Sequence, residues 1–203
     1  MRRPGIYFTF IFLITCSCSR PLVQVFENYK INSKGLDSLS SYFQLIKPDS
    51  IDLWIRFNKE KTFDILLWDK RKNKTENQIF DKYGSFSKYD NLITDSLAIK
   101  VLDYIAIDTN QLDYIKTYLN KVNCNSIGYK CEFWDVKNGG GFIEIGFPTD
   151  DFYGLTYLIL ESIKDSVFLI NVKTKCNYKV INSKYLLRYS GPAWGSDCFP
   201  DKK

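Results

Sequence analysis

Residues 51–68 read IDLWIRFNKEKTFDILLW. Ile51, Leu53, Ile55 and Phe57 alternate with other positions, and Phe63, Ile65 and Leu67 resume the alternation after Lys59-Glu60-Lys61. A period of two means strands with one buried face, and a short polar break between two such runs means a hairpin. Both apolar sets share one face only if Phe57 lies opposite Phe63, Ile55 opposite Ile65 and Leu53 opposite Leu67, because a one-residue slip moves a whole set to the other side. That register sets Arg56 opposite Asp64 on the second face, an expected cross-strand ion pair. Trp54, Leu66 and Trp68 share that face. Aromatics there serve either as a stacking platform for sugars or as the floor beneath a packed helix. The packed reading is preferred, since large aromatics in sheets mostly pack.

Outward from the hairpin, Leu36, Leu39, Phe43 and Ile46 recur at helical spacing and Pro48 ends the run, which predicts a helix over about 35–46. The stretch before it is expected to be an extended tether to about Val23, with a first strand over Val23–Tyr29. Beyond the hairpin, 70–91 is polar and reads as a long excursion holding a short strand at 78–80. Leu97 to Ile105 is read as a helix. Asp108 then has the place of an N-cap, with Gln111 completing a capping box and Ile107 and Leu112 a hydrophobic staple. Leu112, Ile115, Leu119 and Val122 supply the stripe of a helix from Thr109 to about Val122. Asp108-x-Asn110 lacks the glycine and glutamate of a calcium loop, so the cap is the better reading.

After Asn123 the chain turns β-rich. Ile127, Tyr129, Cys131 and Phe133 alternate. Gly139-Gly140-Gly141 joins this strand to Phe142–Phe147, and because a strand rather than a helix follows, the glycines read as a hairpin turn and not as a phosphate cradle. Gly154–Leu160 reads as a central strand, Ser166–Val172 as another, and Tyr178–Tyr189 as one or two more. The fold class expected is α+β: an antiparallel meander carrying two or three packed helices.

At the front of the chain, Arg2 and Arg3 precede ten uncharged residues, Ile6 to Thr15. That is the size of a signal-peptide core and too short for a membrane-spanning helix. Leu13-Ile14-Thr15-Cys16 resembles the lipobox of bacterial lipoproteins, with Thr15 where Gly, Ala or Ser is usual. In that class the cysteine receives acyl chains such as palmitate and becomes the new N-terminus. Thr15-Cys16-Ser17-Cys18 is a second frame, so Cys18 stays an alternative to Cys16. The resemblance implies a signal peptide at 1–15, a lipidated tether at 16–22, a single domain at 23–203, and attachment to a membrane of the bacterial cell envelope facing an oxidising compartment. Several acyl chains make such anchoring stable where one is marginal.

Composition narrows the chemistry. There is no histidine in the 203 residues, which excludes Ser-His-Asp and Cys-His catalysis and every imidazole metal site. Net charge is +5, with lysines scattered among acids, so nucleic acid is not an expected partner. Cys124, Cys131, Cys176 and Cys198 are an even set in an exported chain and are expected to form disulfides; sequence proximity favours Cys124–Cys131 and Cys176–Cys198. The absence of any C-x₂-C pair argues against a zinc site. Trp194, in the turn-rich stretch Ser190–Cys198, is either a plug or a binding lip, the plug being preferred.

Glu132, Glu144, Asp150, Asp151 and Glu161 are the candidate carboxylates, since two set about 5–9 Å apart can cleave a glycosidic bond without histidine. No nucleophile motif or cofactor fingerprint accompanies them. The leading expectation is a non-enzymatic envelope lipoprotein that binds a protein or glycan partner through a face bearing Trp54, Trp68 and Trp194. The alternatives are a histidine-free hydrolase of envelope polysaccharide and an immunity-type inhibitor of an envelope toxin. No metal or cofactor is expected.

Overall fold

The computed structural model describes residues 20–49, 51–58, 62–69, 84–86, 96–130, 141–148, 154–160, 172–190 and 198–199. The chain order is α1 (Arg20–Ile46), β1 (Ile51–Phe57), β2 (Phe63–Asp69), β3 (Gly84–Phe86), α2 (Ser96–Ile105), α3 (Thr109–Lys121), β4 (Ser126–Lys130), β5 (Phe142–Gly146), β6 (Gly154–Leu160), β7 (Tyr178–Val180) and β8 (Tyr185–Ser190). The strands form one eight-stranded sheet in the order β3-β2-β1-β4-β5-β6-β8-β7, every pairing antiparallel. This is an α+β fold. The meander from β4 to β6 is as the sequence predicts, but β8 rather than β7 lies against β6, which leaves β7 as an edge.

The hairpin of β1 and β2 has the register its apolar alternation demands, with Phe57 against Phe63, Ile55 against Ile65 and Leu53 against Leu67. These side chains face the helices and are buried together with Leu36, Leu39 and Phe43 of α1 and Leu112, Ile115 and Leu119 of α3. Tyr129, Ile143, Ile145, Tyr157 and Leu187 carry the same core across β4, β5, β6 and β8. On α3 the capping box is complete: the Gln111 backbone N–H donates to the Asp108 carboxylate at 2.8 Å, and the Asp108 N–H donates to Gln111 Oε1 at 2.9 Å. Ile107 and Leu112 are both buried, as the staple requires.

The segment before Gly35 is where the sequence reading fails. Val23–Tyr29 is not a strand, and the expected extended tether is helical from Arg20; both belong to α1. Pro21 fits because the first turn of a helix needs no intrahelical donor there. The apolar stripe continues backward through Val25, but its next buried position is Asn28, which hides the period. The Asn28 amide donates to Val122 O at 2.9 Å, satisfying a carbonyl at the end of α3, and its oxygen accepts from Asn32 at 2.7 Å and Asn123 at 3.2 Å. Nearby, the Tyr157 hydroxyl donates to Val25 O at 2.7 Å, tying α1 to the sheet. Gly35 permits the close approach of α1 and α3, since a Cβ there would stand 2.8 Å from Val122 Cγ1.

The strand at 78–80 and most of the one at 166–172 lie outside the described residues. Val172, the last residue of the latter, begins a single helical turn at 172–174.

Candidate functional site

Because successive side chains of a strand point to opposite faces, the sheet has a second surface away from the helices. One row of it runs Leu66, Trp54, Gly128, Glu144, Leu158, Leu186, following the pairings from β2 to β8. The adjacent row runs Asp64, Arg56, Ser126, Gly146, Thr156, Arg188. The surface changes character along its width. At the β5–β8 side, Phe142, Leu158, Leu160, Val172, Tyr178 and Leu186 form a second buried cluster. At the β1–β2 side, Trp54 and Leu66 are half-buried and Arg56 is exposed by 38 % of its side chain.

Trp54 and Leu66 are not the floor beneath the 35–46 helix. That helix packs on the Leu53–Ile55 face instead, because its stripe of Leu36, Leu39 and Phe43 meets a more continuous apolar surface there. Trp54 lies over Gly128, where a Cβ would come within 2.9 Å of the indole, so a strand position without a side chain is what gives the ring its bed. The Arg56 guanidinium sits 5.2 Å from the indole centroid, within range of a cation–π contact. Its Nε and Nη2 both donate to Asp64 Oδ2, at 3.0 and 2.8 Å.

Glu144 and Arg188 meet across β6. Arg188 Nη2 is 2.8 Å from Glu144 Oε1, and the side chains are 17 % and 6 % exposed for arginine and glutamate respectively. The pair is in charge contact without an aligned hydrogen bond, since Glu144 Oε1 and Arg188 Nε are both buried with no hydrogen-bond partner among the described residues. The sequence singles out Glu144 as a candidate but not Arg188. A signal was present: each is the single charge in an apolar run, FIEIG and YLLRY, on strands of the same sheet.

Of the other expected site residues, Trp68 stands opposite Asp52 in the register, its side chain outside the described residues. Cys16, Cys18, Cys131, Glu132, Asp150, Asp151, Glu161 and Trp194 also lie outside them. Glu144 is thus the one candidate carboxylate that can be placed, and its close partner is a guanidinium rather than a second acid. Among the described residues no group of histidine, cysteine, aspartate or glutamate is arranged to hold a metal.

A disulfide joins Cys176 to Cys198. The expected Cys124–Cys131 pairing is not made: Cys124 is a free, buried thiol. It lies in the core between α3 and the sheet, with its Sγ donating to Val122 O at 3.5 Å, and burial pushes its pKa up. Proximity in sequence misled because Cys124 belongs to the turn that seats α3, facing inward. Among the described residues no helix is long and apolar enough to cross a membrane. No protein family, curated relative or solved structure matches this chain.

Proposed function

We propose that this chain is a lipid-anchored lipoprotein of a bacterial cell envelope. In this reading residues 1–15 direct export, Cys16 (alternatively Cys18) carries the acyl chains, and the domain is a non-enzymatic binding module. Its binding surface is the β1–β2 part of the second sheet face. The observation that carries the binding reading is the half-buried Trp54 with Arg56 beside it, on the face opposite the one against which α1 and α3 pack. An aromatic paired with arginine is the composition that contributes most to protein interfaces. The Cys176–Cys198 disulfide suits an oxidising compartment.

The test has two parts. Intact mass of the chain extracted from membranes should show loss of residues 1–15 and addition of acyl chains. Capture from envelope extract should then yield a partner with the native domain and lose it with Trp54→Ala, the variant still unfolding in one cooperative transition in urea. A partner retained equally by Trp54→Ala and Arg56→Ala would move the binding surface elsewhere. An unprocessed N-terminus with no added acyl mass would overturn the anchor.

A further inference from the structure

Among the described residues, two groups of tyrosines are in ring contact with one another. Tyr29 meets Tyr157 and Tyr185 at centroid distances of 6.0 and 5.2 Å, the rings tilted or edge-on, and the two sheet residues are buried. The second group lies on the helix layer. Tyr42 of α1 is 4.1 Å from Tyr114 of α3, and Tyr114 is 4.3 Å from Tyr118, one turn further along the same helix. All three are half-buried, so each keeps part of its surface in solvent.

The packing of α1 on α3 builds this ladder. Gly35 lies against Val122. From there Tyr42 is two turns onward along α1 and Tyr114 about two turns back along α3, so antiparallel helices bring the two rings together. Tyr114 and Tyr118 meet because residues four apart are neighbours on a helix surface.

Charge distinguishes the two contacts. The Lys121 ammonium sits 4.6 Å from the Tyr118 ring centroid, which opposes loss of an electron from that ring. Tyr42 has the opposite neighbour: burial and then the Asp108 carboxylate push its pKa up. A negative charge beside a neutral phenol favours removal of its electron. The softer targets of oxidants are withheld among the described residues, since Cys124 is enclosed by the core and Cys176 and Cys198 are already bonded to each other.

We infer that the Tyr42–Tyr114 contact is a modification site, at which a peroxide-activating haem oxidant couples the two phenols into a dityrosine that braces α1 against α3. Each phenol gives up one electron and one proton. The two phenoxyl radicals form a carbon–carbon bond between their ortho positions, and the hydrogen on each bonded ortho carbon moves to the oxygen of its own ring. The electrons and protons released reduce one hydrogen peroxide to two waters. The inference stands apart from the lipid anchor and from binding at Trp54.

The experiment treats the purified full chain with hydrogen peroxide and a haem peroxidase. The expected product is a monomer lighter by two hydrogen atoms, with dityrosine fluorescence and a linked peptide that joins Tyr42 to Tyr114. Tyr42→Phe and Tyr114→Phe keep the rings and should each abolish that link, whereas Tyr118→Phe should retain it. The coupled chain should unfold at higher urea than the untreated one, because the bond closes a long loop in the unfolded state. Coupling at other tyrosines, coupling between chains, or a link that survives Tyr114→Phe would overturn the inference. Oxygen added to tryptophan with no link formed would overturn it too. A link that leaves the urea midpoint no higher would overturn the bracing of α1.

Discussion

Arg56 and Asp64 face each other across the β1–β2 hairpin, and two guanidinium nitrogens converge on a single carboxylate oxygen, Oδ2. Asn58 Nδ2 adds a third donor at 3.2 Å. The carboxylate is 5 % exposed while the arginine is 38 % exposed, so the pair is a buried acceptor reached by a donor from the rim.

Arg56→Ala removes two donors to that oxygen and is expected to destabilise the domain by about 2–3 kcal/mol. The change should appear in the urea midpoint. Combined with Asp64→Ala, the losses should be less than additive, because both substitutions remove the same interaction. A cost near that of an ordinary surface substitution, about 0.5 kcal/mol, would show that the carboxylate does not depend on Arg56.

The same pair marks how far the sequence carries. Where an element alternates strictly, as at Ile51–Phe57 and Phe63–Leu67, the apolar set and the charges agree on one register, and the structure has it. Asp108 and Gln111 are likewise legible because a capping box is local. The start of α1 is not legible, since Asn28 occupies a core position and its partner Val122 is 94 residues away. The face that α1 covers is not legible either. Both faces of the hairpin carry large apolar side chains, and the choice depends on Ile127, Ile143 and Tyr157, strands away in sequence. The Arg188–Glu144 contact escapes for the same reason, because it requires knowing that β8 and not β7 lies against β6.

Tyr157→Phe tests the polar contact that binds α1 to the sheet. The hydroxyl donates to Val25 O at 2.7 Å in the core, and burial is the main cause that pushes its pKa up. Its removal keeps the ring against Tyr29 and Phe147 but takes from the Val25 carbonyl its donor from outside the helix. The expected loss is about 1–2 kcal/mol in denaturant unfolding. Amide exchange should rise first in the early turns of α1. Unchanged exchange there would mean that the helix start is held by other contacts.

Asp37 gives the domain a defined acid response. Partial burial tends to raise its pKa, but the hydrogen bonds from Lys184 and Tyr185 and the charge of Lys184 outweigh it, and the net shift is below the ordinary 3.8. A carboxyl depressed in the folded state contributes stability above its unfolded value, and that contribution is lost as pH falls through the folded one. The stability advantage of the native domain over Asp37→Asn should therefore be full at neutral pH, shrink on acidification below 3.8, and vanish once both states bind the proton. An advantage independent of pH across that range would assign the effect of Asp37→Asn to packing and not to its charge.

The last pair of cysteines ties the C-terminal tail to the sheet. Cys176 and Cys198 are 22 residues apart, and closing a loop of that length restricts the unfolded chain by about 3 kcal/mol. It also holds Phe199, fully buried, against Tyr189 and under Lys179. Reduction or Cys198→Ala should lower the urea midpoint, whereas neither should alter Cys124, which is enclosed by the core rather than by the tail. A thiol reagent should accordingly leave Cys124 unmodified in the native domain and label it after unfolding. Labelling of Cys124 at native rates after reduction of Cys176–Cys198 would show that the tail seals the core as a whole. Unaltered stability on reduction would show that Phe199 seats itself without the covalent link.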